Sequence, residues 1–352
     1  MKLINPINDY KIDGVYIEIT SLCNLRCIHC YNDSGVNKGI ISFSTYKNLL
    51  DQLDVSSDFS VTISGGEPLL HPQIWDILTY TCQKKVNALI ITNATLINEE
   101  IAKKIFDLGI KVQVSLNGRN ESEHDVLCGS GSFKKTMRGL KCLINAGVKN
   151  IIIRCVLSQI NKTTIEKFIG DMSKLTNYID IGTLSIMGRG KNVAQYNIPL
   201  LEKNEILHKL NKSPFIVELR KNGKKVNIPE NACTFGCPLM YIPQEGKAPL
   251  TPRIDVKGNV FLCQAFDNPL YALGNIYEKN FSEILGSEEF FKLSNFIMLG
   301  LDYMLECREC LWKSVCGKGC VAHILSDGTI QNTDGDCELR KKMLAQEAIL
   351  QL

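Results

Sequence analysis

The stretch YIEITSLCNLRCIHCYND (16–33) decides how the rest of the chain is read. Its first residues belong to the run VYIEIT (15–20), which alternates like a strand and passes straight into a loop carrying Cys23, Cys27 and Cys30 in CxxxCxxC spacing. A half-buried strand has that period of two. The cysteine loop is therefore expected at a strand's C-terminal end. Three thiolates this close on one loop can hold three irons of a cubane cluster and leave the fourth iron without a protein ligand. A zinc loop completed by His29 or by a distant residue is the competing reading, because CxxC thiolates are common zinc ligands.

The pattern then repeats along the chain. A helix is expected over 44–53, followed by the strand FSVTISGGEP (59–68), a helix over 73–85, and the strand ALIIT (88–92) ending at Asn93. Next come a helix over 98–108 stopped by Gly109, the strand KVQVS (111–115), and a helix over 132–146 ending at Gly147. The strand NIIIRCVL (150–157), a helix near 163–175 and the strand IDIGTLSIM (179–187) complete six β/α alternations. Such alternation calls for parallel strands joined by right-handed crossovers. The fold class is α/β, a partial (β/α)6 TIM-like barrel followed by a small Cys-rich domain. In that architecture the active face is built from strand C-termini and the loops after them. The cysteine loop, GGEP, Asn93, Ser115 and Met187 all fall there.

Regularity ends after Arg189. Residues 1–190 are read as the barrel, 191–232 as a bridge, 233–340 as the Cys-rich domain and 341–352 as a terminal helix, whose pattern begins at Glu338. In the Cys-rich part RIDV-KGN-VFLC (253–263) reads as a hairpin and LSDGTIQN (325–332) as a second turn.

The chain has 352 residues, 45% of them hydrophobic and 22% charged, as in ordinary globular proteins. A formal charge of +3 is too near balance to point to nucleic acid or an anionic membrane surface. No apolar run has the length of a signal core or a membrane span, so a cytoplasmic protein is expected. Fifteen cysteines without a secretory signal argue against a disulfide framework. Cys82, Cys128, Cys142 and Cys155 stand alone inside apolar segments and read as core; the other eleven are clustered.

A cluster with one open iron needs a chelating ligand, and an α-amino acid offers an amine and a carboxylate. Gly65, Gly66 and Glu67 at the next strand end could grip that amine, since glycines allow close backbone approach. CNLRCIHC (23–30) followed by SGGEP (64–68) resembles the radical S-adenosylmethionine (SAM) superfamily. The resemblance implies that Cys23, Cys27 and Cys30 bind a [4Fe–4S] cluster that reduces bound SAM, giving a 5′-deoxyadenosyl radical that abstracts a substrate hydrogen. It further implies His29 near the adenine, Gly65, Gly66 and Glu67 at the methionyl amine, and Ser115 and Asn117 of VSLNG (114–118) at the ribose or carboxylate. Asn93 is a further candidate cofactor contact, and Met187 of LSIMGRG (184–190) would border the adenine. Two positions depart from the family: Asn117 replaces the commoner Asp, and in EHDVLCGSGSF (123–133) Cys128 stands where Arg is common.

The later cysteines resemble the SPASM pattern: Gly258-x4-Cys263, then Cys307-x2-Cys310-x5-Cys316-x3-Cys320, then Cys337, with Cys233 and Cys237 upstream. Eight thiolates suffice for two auxiliary [4Fe–4S] clusters. Family topology implies Cys233, Cys237, Cys263 and Cys320 for one, and Cys307, Cys310, Cys316 and Cys337 for the other; a pair of zinc sites is the alternative on spacing alone.

Proteins with this domain pair mostly modify peptides or proteins by crosslinking, thioether formation, epimerisation or oxidation. The expected partners are therefore a peptide or protein substrate and a reductant such as flavodoxin or ferredoxin. Gln264 stands where sulfatase maturases usually carry Asp, which counts against that specific oxidation. Radical chemistry on a small molecule, such as a tetrapyrrole or amino-acid derivative, is the second reading. A non-enzymatic iron–sulfur or zinc protein is the third, and it leaves the open three-cysteine site beside GGEP unexplained.

Overall fold

The computed structural model describes residues 9–36, 39–184, 187–232, 247–316, 319–325 and 336–350. They form two compact units, one of those within 17–50 and 54–232, the other of those within 1–16, 51–53 and 233–352. After a short strand β1 (Tyr10–Ile12), the larger unit is organised on β2 (Gly14–Thr20), β3 (Ser60–Gly65), β4 (Asn87–Thr92), β5 (Lys111–Ser115), β6 (Ile151–Leu157), β7 (Tyr178–Thr183) and β8 (Lys225–Asn227). These lie side by side in chain order, and every pairing from β3 to β8 is parallel.

Burial explains the alternation in the sequence. On β4, β5 and β6 every second residue is fully covered, among them Ile90, Val112, Val114, Ile153 and Cys155. The intervening positions are half-exposed. Register places Ile91 beside Gln113, Ser115 beside Arg154, and Arg154 beside Asp180, so this second face carries the polar groups, and Arg154 and Asp180 form an ion pair on it. β2 is buried along all seven residues, as a strand covered on both faces must be.

The connecting helices start and stop where local chemistry dictates. Asn98 caps the helix Glu99–Leu108 by accepting from the Ile101 amide at 2.9 Å, and Gly109 ends it in a left-handed conformation at φ 67°. The helix between β2 and β3 spans Phe43–Asp51, and its cap is Ser42, whose hydroxyl accepts from the Thr45 amide.

Residues 191–232 are not a bridge. They form the helices Leu200–Lys212 and Pro214–Lys221 and the strand β8, which pairs with β7, and they belong to the larger unit. A three-residue strand reading KVN, preceded by Lys224, carries too little apolar patterning to be legible beforehand.

In the smaller unit β1 pairs in parallel with β9 (Ala248–Leu250), and β10 (Arg253–Ile254), β11 (Asn259–Phe261) and β12 (Gly274–Asn275) form the expected antiparallel turn with one strand more. The helices Glu288–Tyr303 and Cys337–Leu350 complete it, with the Tyr10 and Phe290 rings stacked 5.9 Å apart. The turn expected at 325–332 lies, beyond Leu325, outside the described residues.

Candidate functional site

The cysteine loop leaves the C-terminal end of β2, and its three thiols are free and half-buried. Backbone amides point at two of the sulfurs, Leu25 N–H at Cys23 Sγ (3.5 Å) and Ser34 N–H at Cys30 Sγ (3.4 Å). Burial pushes the Cys23 thiol up to about 11. Cys27 is also held far above its ordinary value, first by the neighbouring Cys128 thiol and then by burial. Proton-bearing thiols of this kind become ligands only when a metal displaces the proton.

The GGEP turn sits directly against this loop. Gly66 N–H donates to Thr20 O at 2.6 Å, and Glu67 N–H donates to Leu22 O at 2.7 Å. A Cβ on Gly65, whose φ is 128°, would meet Thr20 O at 2.2 Å, and one on Gly66 would meet Leu22 O at 2.1 Å. Both glycines are therefore needed for the two backbones to touch. Asn32 reaches across from the loop to donate to Gly65 O at 3.3 Å.

Glu67 is buried, and its carboxylate faces the protein. Oε1 accepts from Thr92 Oγ1 (2.8 Å) and the Leu69 amide (3.3 Å), and Oε2 accepts from the Asn93 amide (2.8 Å). Burial pushes its carboxyl up to about 7 against the opposing pull of those three donors. The side chain thus ties the turn to the end of β4. Asn93 continues the tie, donating from Nδ2 to Asn24 Oδ1 at 3.0 Å and lying 4.0 Å from Cys23 Sγ.

Asn117 and His29 meet on the other side of the loop. Asn117 Oδ1 accepts from the Val156 amide at 3.0 Å, which fixes its Nδ2 as the donor toward His29 Nε2 (3.3 Å) and Cys128 Sγ (3.4 Å). His29 therefore carries its proton on Nδ1. Burial holds its imidazole down to about 4, so it is neutral at pH 7. Ser115 is half-exposed at the end of β5, and Met187 is buried just before Gly188.

Arg189 was not singled out by sequence, yet it clamps the cysteine loop. Its amide donates to Cys30 O (2.9 Å), Nε donates to Cys27 O (2.9 Å), and Nη1 donates to Ser34 O and Asp33 Oδ1 (2.7 Å each). Gly188, at φ 53°, permits the approach, because a Cβ there would lie 2.3 Å from Tyr31 O. A lone Arg between glycines gives no signal of this role. Cys128, read as core, is indeed buried, but it is in contact with Cys27 and Asn117. Cys155 is fully buried core, while Cys82 and Cys142 are half-buried.

The donor set fits a cluster with an iron left for another ligand. Three soft thiols stand on one loop, the ligand type that suits an iron–sulfur cluster. Two buried polar atoms of the loop, His29 Nδ1 and Asn32 Oδ1, have no hydrogen-bond partner among the described residues. Buried polar groups are rarely left so unless something else meets them.

In the smaller unit Cys263, Cys307, Cys310, Cys316, Cys320 and Cys337 are half-buried and form no disulfide among the described residues. Burial raises Cys307, and so do the neighbouring Cys337, Cys316 and Cys310. Those four thiols share one neighbourhood. Cys233 and Cys237 lie outside the described residues.

Comparison with known families matches the Radical SAM superfamily at residues 17–172 and the SPASM iron-sulfur cluster-binding domain at 252–311. The chain carries a radical SAM domain followed by a SPASM domain. Mycofactocin maturase MftC of Mycobacterium tuberculosis (strain CDC 1551 / Oshkosh) is 32% identical over 178 residues, which are 50% of this chain and 46% of that one. The matched stretch thus spans about half the length of that relative. AdoMet-dependent heme synthase of Methanosarcina barkeri (strain Fusaro) is 27% identical over 87% of this radical SAM chain and 90% of its own. Among solved structures, Streptococcus suis SuiB bound to precursor peptide SuiA has a TM-score of 0.73 at 17% identity, covering 93% of this chain and 75% of that one. That likeness concerns the fold. No helix among the described residues is long and apolar enough to cross a membrane.

Proposed function

We propose that the protein is a radical SAM enzyme that installs a modification on a peptide or protein. The observation carrying this reading is the docking of the GGEP turn on the cysteine loop, which sets a glycine backbone beside three free thiols. Bound there, a [4Fe–4S] cluster and SAM supply reductive cleavage of the sulfonium and abstraction of a substrate hydrogen atom. Cys23, Cys27 and Cys30 would hold the cluster. The backbone of Gly65 and Gly66 would receive the methionyl amine, with Glu67 bracing the turn from beneath. His29, Asn93, Ser115, Asn117 and Met187 stand around the same loop and strand ends as candidates for the rest of the cofactor. Arg189 orders the loop that presents the thiols.

The SPASM cysteines would hold two auxiliary clusters, Cys307, Cys310, Cys316 and Cys337 for one and Cys233, Cys237, Cys263 and Cys320 for the other. The maturase relative and a peptide-bound structure of the same fold favour a peptide substrate. A flavodoxin or ferredoxin would deliver the electron. A tetrapyrrole is the second reading, favoured by the heme synthase relative matching along 87% of this chain.

Anaerobically reconstituted protein given dithionite and SAM should release 5′-deoxyadenosine and carry about twelve irons per chain, four for each cluster. Full iron loading without that product refutes the enzyme. Mass spectrometry of a peptide encoded beside the gene, set against an iron porphyrin under the same conditions, separates the two substrate classes.

A further inference from the structure

We propose that the exposed face of the helix Ser132–Asn145 is where a small acidic electron-transfer protein docks to reduce the cluster held by Cys23, Cys27 and Cys30. This rests on the reading that those cysteines bind the cluster, and it names the surface through which the electron reaches it.

Positive charge is concentrated on this helix. The chain's formal charge is only +3, yet no Asp or Glu occurs from 126 to 165. Within that stretch the helix presents Lys134, Lys135, Arg138 and Lys141, all exposed. Positions 134, 138 and 141 recur at the helical repeat and lie along one face, with 135 beside them. The opposite face, from Thr136 to Leu143, is buried. Exposed Phe106 sits over Gly147 just beyond the helix end and adds an apolar contact to the basic row.

The carboxylates nearby do not cancel the row. Glu121 lies 3.2 Å from Lys134 at its start. Asp125 is engaged at the helix N-terminus, accepting from the Gly131 and Phe133 amides and from the Ser132 hydroxyl. On the helix Glu99–Leu108, which packs alongside, Glu100 and Asp107 are matched by Lys104 and Lys103, leaving Glu99. Lys135, Arg138 and Lys141 form no ion pair among the described residues.

Behind this face lies the cysteine loop. A Cβ on Gly139 would meet Ala94 O at 2.0 Å, so the helix backbone rests on the turn after β4. Thr136 Oγ1 donates to Asn93 O at 2.9 Å, and Asn93 Nδ2 lies 4.0 Å from Cys23 Sγ. The basic face is thus separated from a thiol of the cluster loop by the thickness of one helix, about 10–12 Å, and by Asn93. Electron tunnelling weakens steeply with distance, which favours a donor seated here. Flavodoxins and ferredoxins are acidic, and a positive row facing a negative rim steers their encounter. One electron leaves the docked donor, which is oxidised by one, and enters the cluster, which is reduced by one; no bond of this chain is made or broken.

The test uses the iron-loaded protein with flavodoxin and ferredoxin as probes, and dithionite as a reductant that needs no docking surface. In the variant Lys135→Glu/Arg138→Glu/Lys141→Glu, 5′-deoxyadenosine release driven by whichever protein donor binds the parent more tightly should slow at least about tenfold at low salt, the scale of electrostatic steering. The affinity for that donor, read by interferometry, should weaken with it. The corresponding triple alanine variant should lie between the two. Release driven by dithionite should stay at the parent's rate. Raising salt to about 1 M, where the Debye length is about 3 Å, should bring the parent down to the variant's rate with the protein donor. A charge-reversed variant that binds the donor as the parent does overturns the proposal, as does a parent that binds neither donor or binds indifferently to salt. Equal slowing with dithionite overturns it too, because the helix face would then support the fold and not the donor. Failure of the parent to release 5′-deoxyadenosine with dithionite refutes instead the underlying reading of the three cysteines.

Discussion

Glu67 is a buried carboxyl whose three donors all come from its own framework. Its folded-state value of about 7 lies above the ordinary 4.5, so the folded protein binds the proton more tightly than the unfolded chain. Its contribution to stability is full below pH 4.5 and is lost as pH rises to about 7. Glu67→Gln should flatten that part of the pH dependence. It should also lower stability by about 1–3 kcal/mol, because one amide hydrogen must face either the Asn93 amide or the Leu69 and Thr92 donors. Thermal unfolding across pH 4.5 to 8 checks both; an unchanged slope would refute the account. Arg189 makes a second case. Arg189→Ala removes three side-chain hydrogen bonds from the cysteine loop. Each such bond is worth about 1.5–3 kcal/mol when the donor is charged and sheltered. The variant should keep its circular dichroism and surrender iron to a chelator several-fold faster. Arg189→Lys should fall between, since an ammonium cannot reproduce the fork.

At the scale of elements, the docking of the β3 turn on the loop after β2 depends on two missing side chains. Gly66→Ala should force the turn away from Leu22, because 2.1 Å lies far inside any tolerated carbon–oxygen contact. Iron retained after desalting and SAM binding should both drop, and wild-type binding of SAM by this variant would refute the assignment. The elements themselves were largely legible. β4, β5 and β6 alternate because one face is buried while the other carries half-exposed residues such as Gln113 and Ser115. What escaped were features without a period. β8 is too short and polar to be seen, and Arg189 acts through a partner 162 residues away in the chain, which no local spacing reveals. Asn117 was picked out from its place in VSLNG, but its bonds to Val156, His29 and Cys128 come from three separate segments.

At the scale of the whole molecule the two units have separate cysteine sets. Cys307→Ala should therefore lower bound iron by about four per chain, one cluster's worth, while the SAM-responsive signal persists. Loss of all iron would show that the sets are not independent. The clamp from Arg189 also bears on how such a protein is made. Synthesis passes from Cys30 through the whole β/α succession before the residue that grips Cys27 O and Ser34 O exists. A nascent chain arrested before Arg189 has the GGEP turn and Asn93 against the loop but lacks its last brace. Firm holding of iron by the three thiols is therefore expected only once the chain has been made through Arg189.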